Sequence, residues 1–146
     1  MTKEFVYVTY IRTTPEKVWQ AITNPEFTRQ YWANENISDW KQGSEWKHVD
    51  TTSKETRVIG KVLESNPPKR LVTSWASPSD LSDESKVTYE LTVVNDLVRL
   101  EVVHTKLSED MGKAVSGGWP LVLSSLKSFL ETGNPIDIIA VKGPCK

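Results

Sequence analysis

KVTYELTVVNDLVRLEVVHT, residues 86–105, decides the fold by its spacing. Val87, Tyr89, Leu91 and Val93 alternate with Lys86, Thr88, Glu90 and Thr92, the period-two pattern of an antiparallel strand with one dry and one wet face. Val98, Leu100, Val102 and His104 repeat the alternation against Arg99, Glu101, Val103 and Thr105. Asn95-Asp96 between the runs supplies turn chemistry, so the two are predicted to pair as a hairpin. A sheet with one apolar face must be covered by something apolar. Downstream, Trp119, Val122, Leu123, Leu126 and Leu130 fall at i, i+3, i+4, i+7 and i+11, a continuous helical stripe that Gly133 and Pro135 close. Gly117-Gly118 and Pro120 leave two starts open for this helix: near Trp119, or near Met111 with a kink.

Working back toward the N-terminus, Leu71, Thr73 and Trp75 alternate in RLVTSWAS, and Val58, Gly60 and Val62 share a phase in a run that stops at Asn66-Pro67-Pro68. Trp46 and His48 share a phase after a turn at Gly43. Residues 77–85, polar and containing Pro78, read as a surface loop. At the start of the chain, residues 4–11 are β-branched and aromatic, as a strand requires. Thr14-Pro15 marks a helix start, with Val18, Trp19 and Ile22 on one side, and Asn24-Pro25 separates it from a second short helix ending at Tyr31-Trp32. The order is strand, two short helices, five strands, long helix. It predicts an α+β helix-grip: a curved antiparallel sheet of about six strands wrapped around a long C-terminal helix, one domain over residues 1–133 with a tail at 134–146. The tail, IDIIAVKGPCK, is apolar enough to lie against the body or against a second copy, as in a homodimer.

A chain of 146 residues is of single-domain size. With 18 Lys+Arg against 19 Asp+Glu it has no broad basic face, so nucleic acid is not an expected partner. Cys145 has no cysteine partner, which excludes a disulfide framework within the chain and a cysteine zinc set. No apolar block of signal or membrane-spanning length occurs, so no membrane insertion is expected and the cytoplasm is the expected location. Six tryptophans are the unusual feature, since rings of that size fill a core or line a cavity.

TPEKVWQAITNPEFTRQYW resembles the first signature of the activator of Hsp90 ATPase homologue 1-like family of the START/Bet v 1-like superfamily. DWKQGSEW resembles the family's aromatic-x-x-Gly hairpin, GKVLESNPPKRLVTSW its strand, Pro-rich turn and Leu-x-x-x-Trp strand, and SGGWPLVLSSLKSFLETG its Gly-Trp terminal helix. The resemblance runs from about residue 5 to 133 and implies an internal cavity between sheet and long helix, in which superfamily members hold apolar molecules. It also implies an alternative, contact with a chaperone, because the family's namesake stimulates the Hsp90 ATPase. That namesake carries an additional N-terminal domain that this chain does not contain.

The strand and helix phases send Trp46, Val62, Leu71, Trp75, Tyr89, Leu91, Leu100, Val102, His104, Trp119 and Leu123 inward, with Tyr31 and Trp32 near a mouth. They predict a largely apolar pocket with a few polar tips: the indole N–H groups, the Tyr89 hydroxyl and His104. Apolar burial at about 25 cal/mol per Å² lets a ligand of roughly 15 or more heavy atoms bind without covalent chemistry. The expected function is thus non-catalytic binding of a small hydrophobic or aromatic molecule, with Trp32, Trp75, Tyr89 and Trp119 as walls. An enzyme of the polyketide cyclase type is the further alternative, and His104 is the one candidate acid or base for it. No nucleophile elbow or phosphate loop is present, no cofactor is implied, and His48 and His104 on separate strands do not make a metal site. Glu64 shares the phase of Val62 and reads either as a buried acid at the cavity rim or as the exposed end of its strand.

Overall fold

The structure is a computed structural model that describes residues 3–142; Cys145 lies outside the described residues. Seven strands form one antiparallel sheet: β1 (Lys3–Ile11), β2 (Asn34–Ile37), β3 (Glu45–Asp50), β4 (Thr56–Asn66), β5 (Arg70–Ser77), β6 (Asp80–Val94) and β7 (Leu97–Leu107). Their order is β1-β7-β6-β5-β4-β3-β2, so the edge strands β1 and β2 are bridged by α1 (Pro15–Thr23) and α2 (Pro25–Tyr31). α3 (Glu109–Thr132) lies against the inner face and is followed by α4 (Ile138–Lys142). This is the helix-grip architecture expected.

Local chemistry explains the boundaries. Thr14 Oγ1 accepts the Lys17 N–H at 3.3 Å and Pro15 opens α1. Asn24 ends α1 and also caps α2, its side chain accepting the Glu26 N–H at 3.0 Å, so the two helices share one residue as their joint. Asn95 takes φ +56° in the turn between β6 and β7, a conformation that asparagine tolerates better than most residues. In that hairpin Tyr89 faces Val102 and Leu91 faces Leu100, all four buried. Val93 keeps the phase but is exposed beside the hairpin's turn.

Several details differ from the sequence reading. β2 adds a seventh strand where the polar stretch NENI gives no strand signal; it exists because β3 pairs with it. Residues 77–85 are not a loop, for Ser77 pairs with Asp80 across a tight turn and β6 starts there. That half of β6 is solvated on both sides, Leu81 included, so it lacks the alternation that betrays a half-buried strand. α3 starts at Glu109, the earlier of the two options, because Ser108 caps it by accepting the Met111 N–H at 3.2 Å. The helix carries Pro120 internally and ends at Gly133, φ +83°. The described part of the tail folds back on the body. Ser125 Oγ accepts the Ile136 N–H at 3.0 Å, and Ile138 is buried.

The core is the concave face of the sheet against α3, with Val18, Ala21 and Ile22 of α1 and Tyr31 of α2 closing it from the side. Glu64 is half exposed after a register shift in β4 and pairs with Arg70 at 3.1 Å, so it is not a cavity acid. Arg70 also pairs with Glu90, and Glu101 with Arg99 at 3.7 Å, an ordinary outer-face charge pattern.

Candidate functional site

Rings fill most of the space between sheet and helix. Trp75 on β5 is the hub, 5.4 Å from Trp46, 5.3 Å from His104 and 5.5 Å from Trp119 between ring centroids. Trp32, just after α2, closes the cluster at 5.4 Å from Trp119 and 4.7 Å from His48. All eleven residues expected to face inward are buried, Trp46, Val62, Leu71, Trp75, Tyr89, Leu91, Leu100, Val102, His104, Trp119 and Leu123, and so is Trp32, expected near a mouth.

Burial does not make all of them a ligand wall. A cavity of about 150 Å³ remains, bordered by Trp32, Trp75 and Trp119 and roofed by α3 through Met111, Ala114, Val115, Gly118 and Val122. Ala114 is exposed, so the cavity opens beside the first half of α3. Tyr89 and His104, expected as wall and polar contact, do not border it; Tyr89 packs edge-on against Trp119, centroids 6.1 Å apart. A volume of this size matches one benzene-sized ring, less than the ligand of some 15 heavy atoms expected from the sequence. The difference arises because the tryptophans pack on one another instead of standing apart.

His104 is occupied at both ring nitrogens. The Trp119 Nε1–H donates to His104 Nδ1 at 3.0 Å, which makes Nδ1 the acceptor and puts the proton of the neutral ring on Nε2. Nε2–H then donates to Ser85 Oγ at 2.7 Å, and the Ser85 hydroxyl donates to the Trp75 carbonyl at 3.2 Å. One relay thus joins α3, β7, β6 and β5. Burial lowers the His104 pKa to about 4, since a cationic ring would be desolvated there. Charging it would also set an Nδ1–H against the Trp119 N–H. A group so held is a structural link, and the geometry does not favour an acid or base role.

His48 is buried on β3, with Nδ1 2.6 Å from Asn36 Oδ1. Asn36 Nδ2 donates to the Ile22 carbonyl at 3.0 Å, and its backbone N–H donates to Thr28 Oγ1 at 3.0 Å, so this network ties β2 and β3 to α1 and α2. Burial also raises the Tyr31 pKa well above its ordinary value; its hydroxyl donates to the Ala21 carbonyl at 2.7 Å. Trp46 is held differently from the cavity indoles. Its N–H donates to the Ser74 carbonyl at 2.7 Å, crossing β4 at Gly60, where an added Cβ would lie 2.0 Å from the Ser74 oxygen and 2.6 Å from Trp46 Nε1. Only glycine allows that close approach. Trp46 stays inside the ring cluster, 5.4 Å from Trp75, but does not border the cavity.

Ser85 and the α3 roof are the site residues that sequence reasoning missed. Ser85 is in phase with Val87 and Tyr89, so continuing the alternation two residues upstream would have found it. Met111, Ala114, Val115, Gly118 and Val122 lie on one helical face, visible once the helix is known to begin before Trp119.

Comparison with known proteins returns concordant results. The model of the family described as Activator of Hsp90 ATPase homolog 1-like protein matches residues 12–131. Solved structures with the same fold include the Aha1 dimer from Colwellia psychrerythraea (TM-score 0.77, 23% identity, 90% of this chain and 98% of that one). CalU16 from Micromonospora echinospora gives TM-score 0.74 at 24% identity over 90% of this chain and 78% of that one. An HSP90 activator from Plasmodium falciparum gives 0.64 at 22% over 95% and 94%. No curated protein matches. Among the described residues, no helix is long and apolar enough to cross a membrane.

Proposed function

We propose that this chain, which belongs to the activator of Hsp90 ATPase homologue 1-like family, binds a small apolar or aromatic molecule without chemistry, in the cavity bordered by Trp32, Trp75 and Trp119. The observation that carries the reading is a cavity of about 150 Å³ left open inside a ring cluster that otherwise packs tightly. An apolar recess walled by aromatic rings is the form that small-molecule sites take. The volume suits a single ring, for which apolar burial supports affinities on the order of 0.1–1 mM. A larger molecule enters if Met111 changes rotamer, which its unbranched chain permits.

The test is titration of the full chain with single-ring compounds such as toluene, indole and acetophenone, read by tryptophan fluorescence and indole N–H resonances. Saturable shifts at Trp32, Trp75 and Trp119 are expected. A folded protein whose tryptophan signals move for none of these compounds removes the reading.

A second reading is favoured by the family itself and by the fold shared with an HSP90 activator: a protein-interaction module that contacts a chaperone. Pull-down with Hsp90 and an ATPase assay separate the two. Stimulated turnover that persists when the cavity is filled by Gly118→Leu would assign the activity to the surface, and unchanged turnover would eliminate this reading.

A further inference from the structure

A second recess, of about 300 Å³, lies where α1, α2 and the last turns of α3 meet. Ala21, Phe27, Phe129 and Leu130 form its apolar part, with the rings of Phe27 and Phe129 6.1 Å apart between centroids. Lys17, Gln20 and Gly133 complete the border, and none of it is acidic. Lys17, Gln20 and Ala21 stand at i, i+3 and i+4 on α1, so they share one helical face. Among the described residues, the Lys17 ammonium and the Gln20 amide make no ion pair and no hydrogen bond. Gly133 brings the carbonyl end of α3 to the same border, yet Lys17 donates to no carbonyl there.

Lys17 also stands against the local chemistry of its helix. Thr14 accepts its N–H at 3.3 Å, which makes residue 17 the third helical position. A capping box places Glu or Gln there, and the positive end of the helix disfavours a cation. A residue that breaks a local rule with no partner in the fold is the kind that a functional site retains. We propose that this recess binds an amphiphilic carboxylate, its alkyl or aryl-alkyl chain against Phe27, Phe129 and Leu130 and its head group on Lys17 and Gln20. The ammonium and the amide N–H groups donate to a carboxylate, and no acidic side chain on the border opposes it. An alkylammonium would meet Lys17 as a like charge. About 150 Å³ matches the six carbons of benzene, so about 300 Å³ suits a chain of roughly eight to ten carbons with its head group at the rim. The two borders share no residue, so the inference is independent of the cavity reading.

The experiment titrates the ¹⁵N-labelled full chain at neutral pH with octanoate, 1-octanol and octylammonium, which share one chain and differ in head group. Octanoate is expected to move the backbone amides of Lys17, Gln20, Ala21 and Gly133 saturably. Its Kd should lie about three- to fivefold below that of 1-octanol, the range of an exposed ion pair, and octylammonium should bind most weakly. Added salt should erase the preference for octanoate without weakening 1-octanol. Lys17→Glu completes the capping box and so favours the fold, and it should place octylammonium ahead of octanoate. Should that variant fail to fold, the head-group order and salt dependence of the wild type decide. Equal affinity for octanoate and 1-octanol, or an octanoate Kd unaltered by Lys17→Glu, overturns the inference. Shifts confined to the indoles of Trp32, Trp75 and Trp119 also overturn it, because octanoate then occupies the cavity, whose reading stands. If octanoate moves the recess amides while single-ring compounds leave those indoles unmoved, the cavity reading falls and this inference stands.

Discussion

Trp119 on the long helix and His104 on the last strand are joined by one hydrogen bond of 3.0 Å, and its direction fixes the tautomer of the histidine. The ring-nitrogen partners of His104 in this structure, Trp119 and Ser85, are neutral, so nothing there compensates a proton on the ring.

That arrangement predicts acid sensitivity of a definite sign. Burial lowers the His104 pKa to about 4 in the folded state, while the unfolded chain titrates near 6.5, so the unfolded state takes up the proton first. The contribution of the neutral ring is complete above pH 6.5, is lost as the pH falls toward 4, and amounts to roughly 3 kcal/mol. Urea unfolding of the wild type and of His104→Gln at pH 7, 6 and 5 is the measurement. The variant should be less stable at pH 7 and the difference should shrink toward pH 5. A constant difference would refute the assignment.

Gly60 should resist even the smallest side chain. Alanine normally stabilises a strand relative to glycine, but here its Cβ would lie 2.0 Å from the Ser74 carbonyl oxygen. Gly60→Ala is expected to cost about 3 kcal/mol or more and to free the Trp46 indole from Ser74. A chemical denaturation curve superimposable on the wild type would contradict the close approach.

Gly118 gives the opposite expectation. A Cβ there meets nothing within 4 Å, and the residue sits inside a helix on the cavity border. Gly118→Leu should gain on the order of 1 kcal/mol through helix propensity while its side chain occupies the cavity. Higher stability together with loss of small-ring binding is the expected pair of results; unaltered binding would move the ligand site elsewhere.

Asn36→Ala should be costly for a residue on a four-residue edge strand. It removes the donor to the Ile22 carbonyl and the acceptor 2.6 Å from His48 Nδ1, both in buried surroundings. About 2–3 kcal/mol is expected from thermal or urea unfolding. The exposed Arg12–Asp96 pair is the control, since Asp96→Ala should change stability by less than about 1 kcal/mol.

The fold is legible in the sequence where one face of an element is dry. The alternation of Val87 to Leu91 and Val98 to His104, and the stripe from Trp119 to Leu130, mark the sheet face and the helix that meet. β2 is not legible, because Asn34, Glu35 and Asn36 lack strand propensity and the pairing comes from β3. The first half of β6 is equally silent, both of its faces being wet. For the site, phase places the rings indoors but cannot say how much space they leave. Whether Trp32, Trp75 and Trp119 stand apart or pack depends on rotamers and on where α3 begins, and α3 begins at a cap, Ser108, well before the visible stripe that opens at Trp119. The hydrogen bond of Trp46 across Gly60 to Ser74 is a contact between strands that no local pattern encodes.

The joint at Asn24 has a consequence for how this scaffold can vary. Since one residue both terminates α1 and caps α2, no slack separates the helices, and the azimuth of the second is inherited from the first. Lengthening α1 by a single residue would turn its end by about 100°. Thr28 and Tyr31, now fully enclosed, would swing toward water. Insertions and deletions should therefore be tolerated at the solvated β5–β6 turn but not at this hinge-less corner, where sequence length is itself a structural constraint.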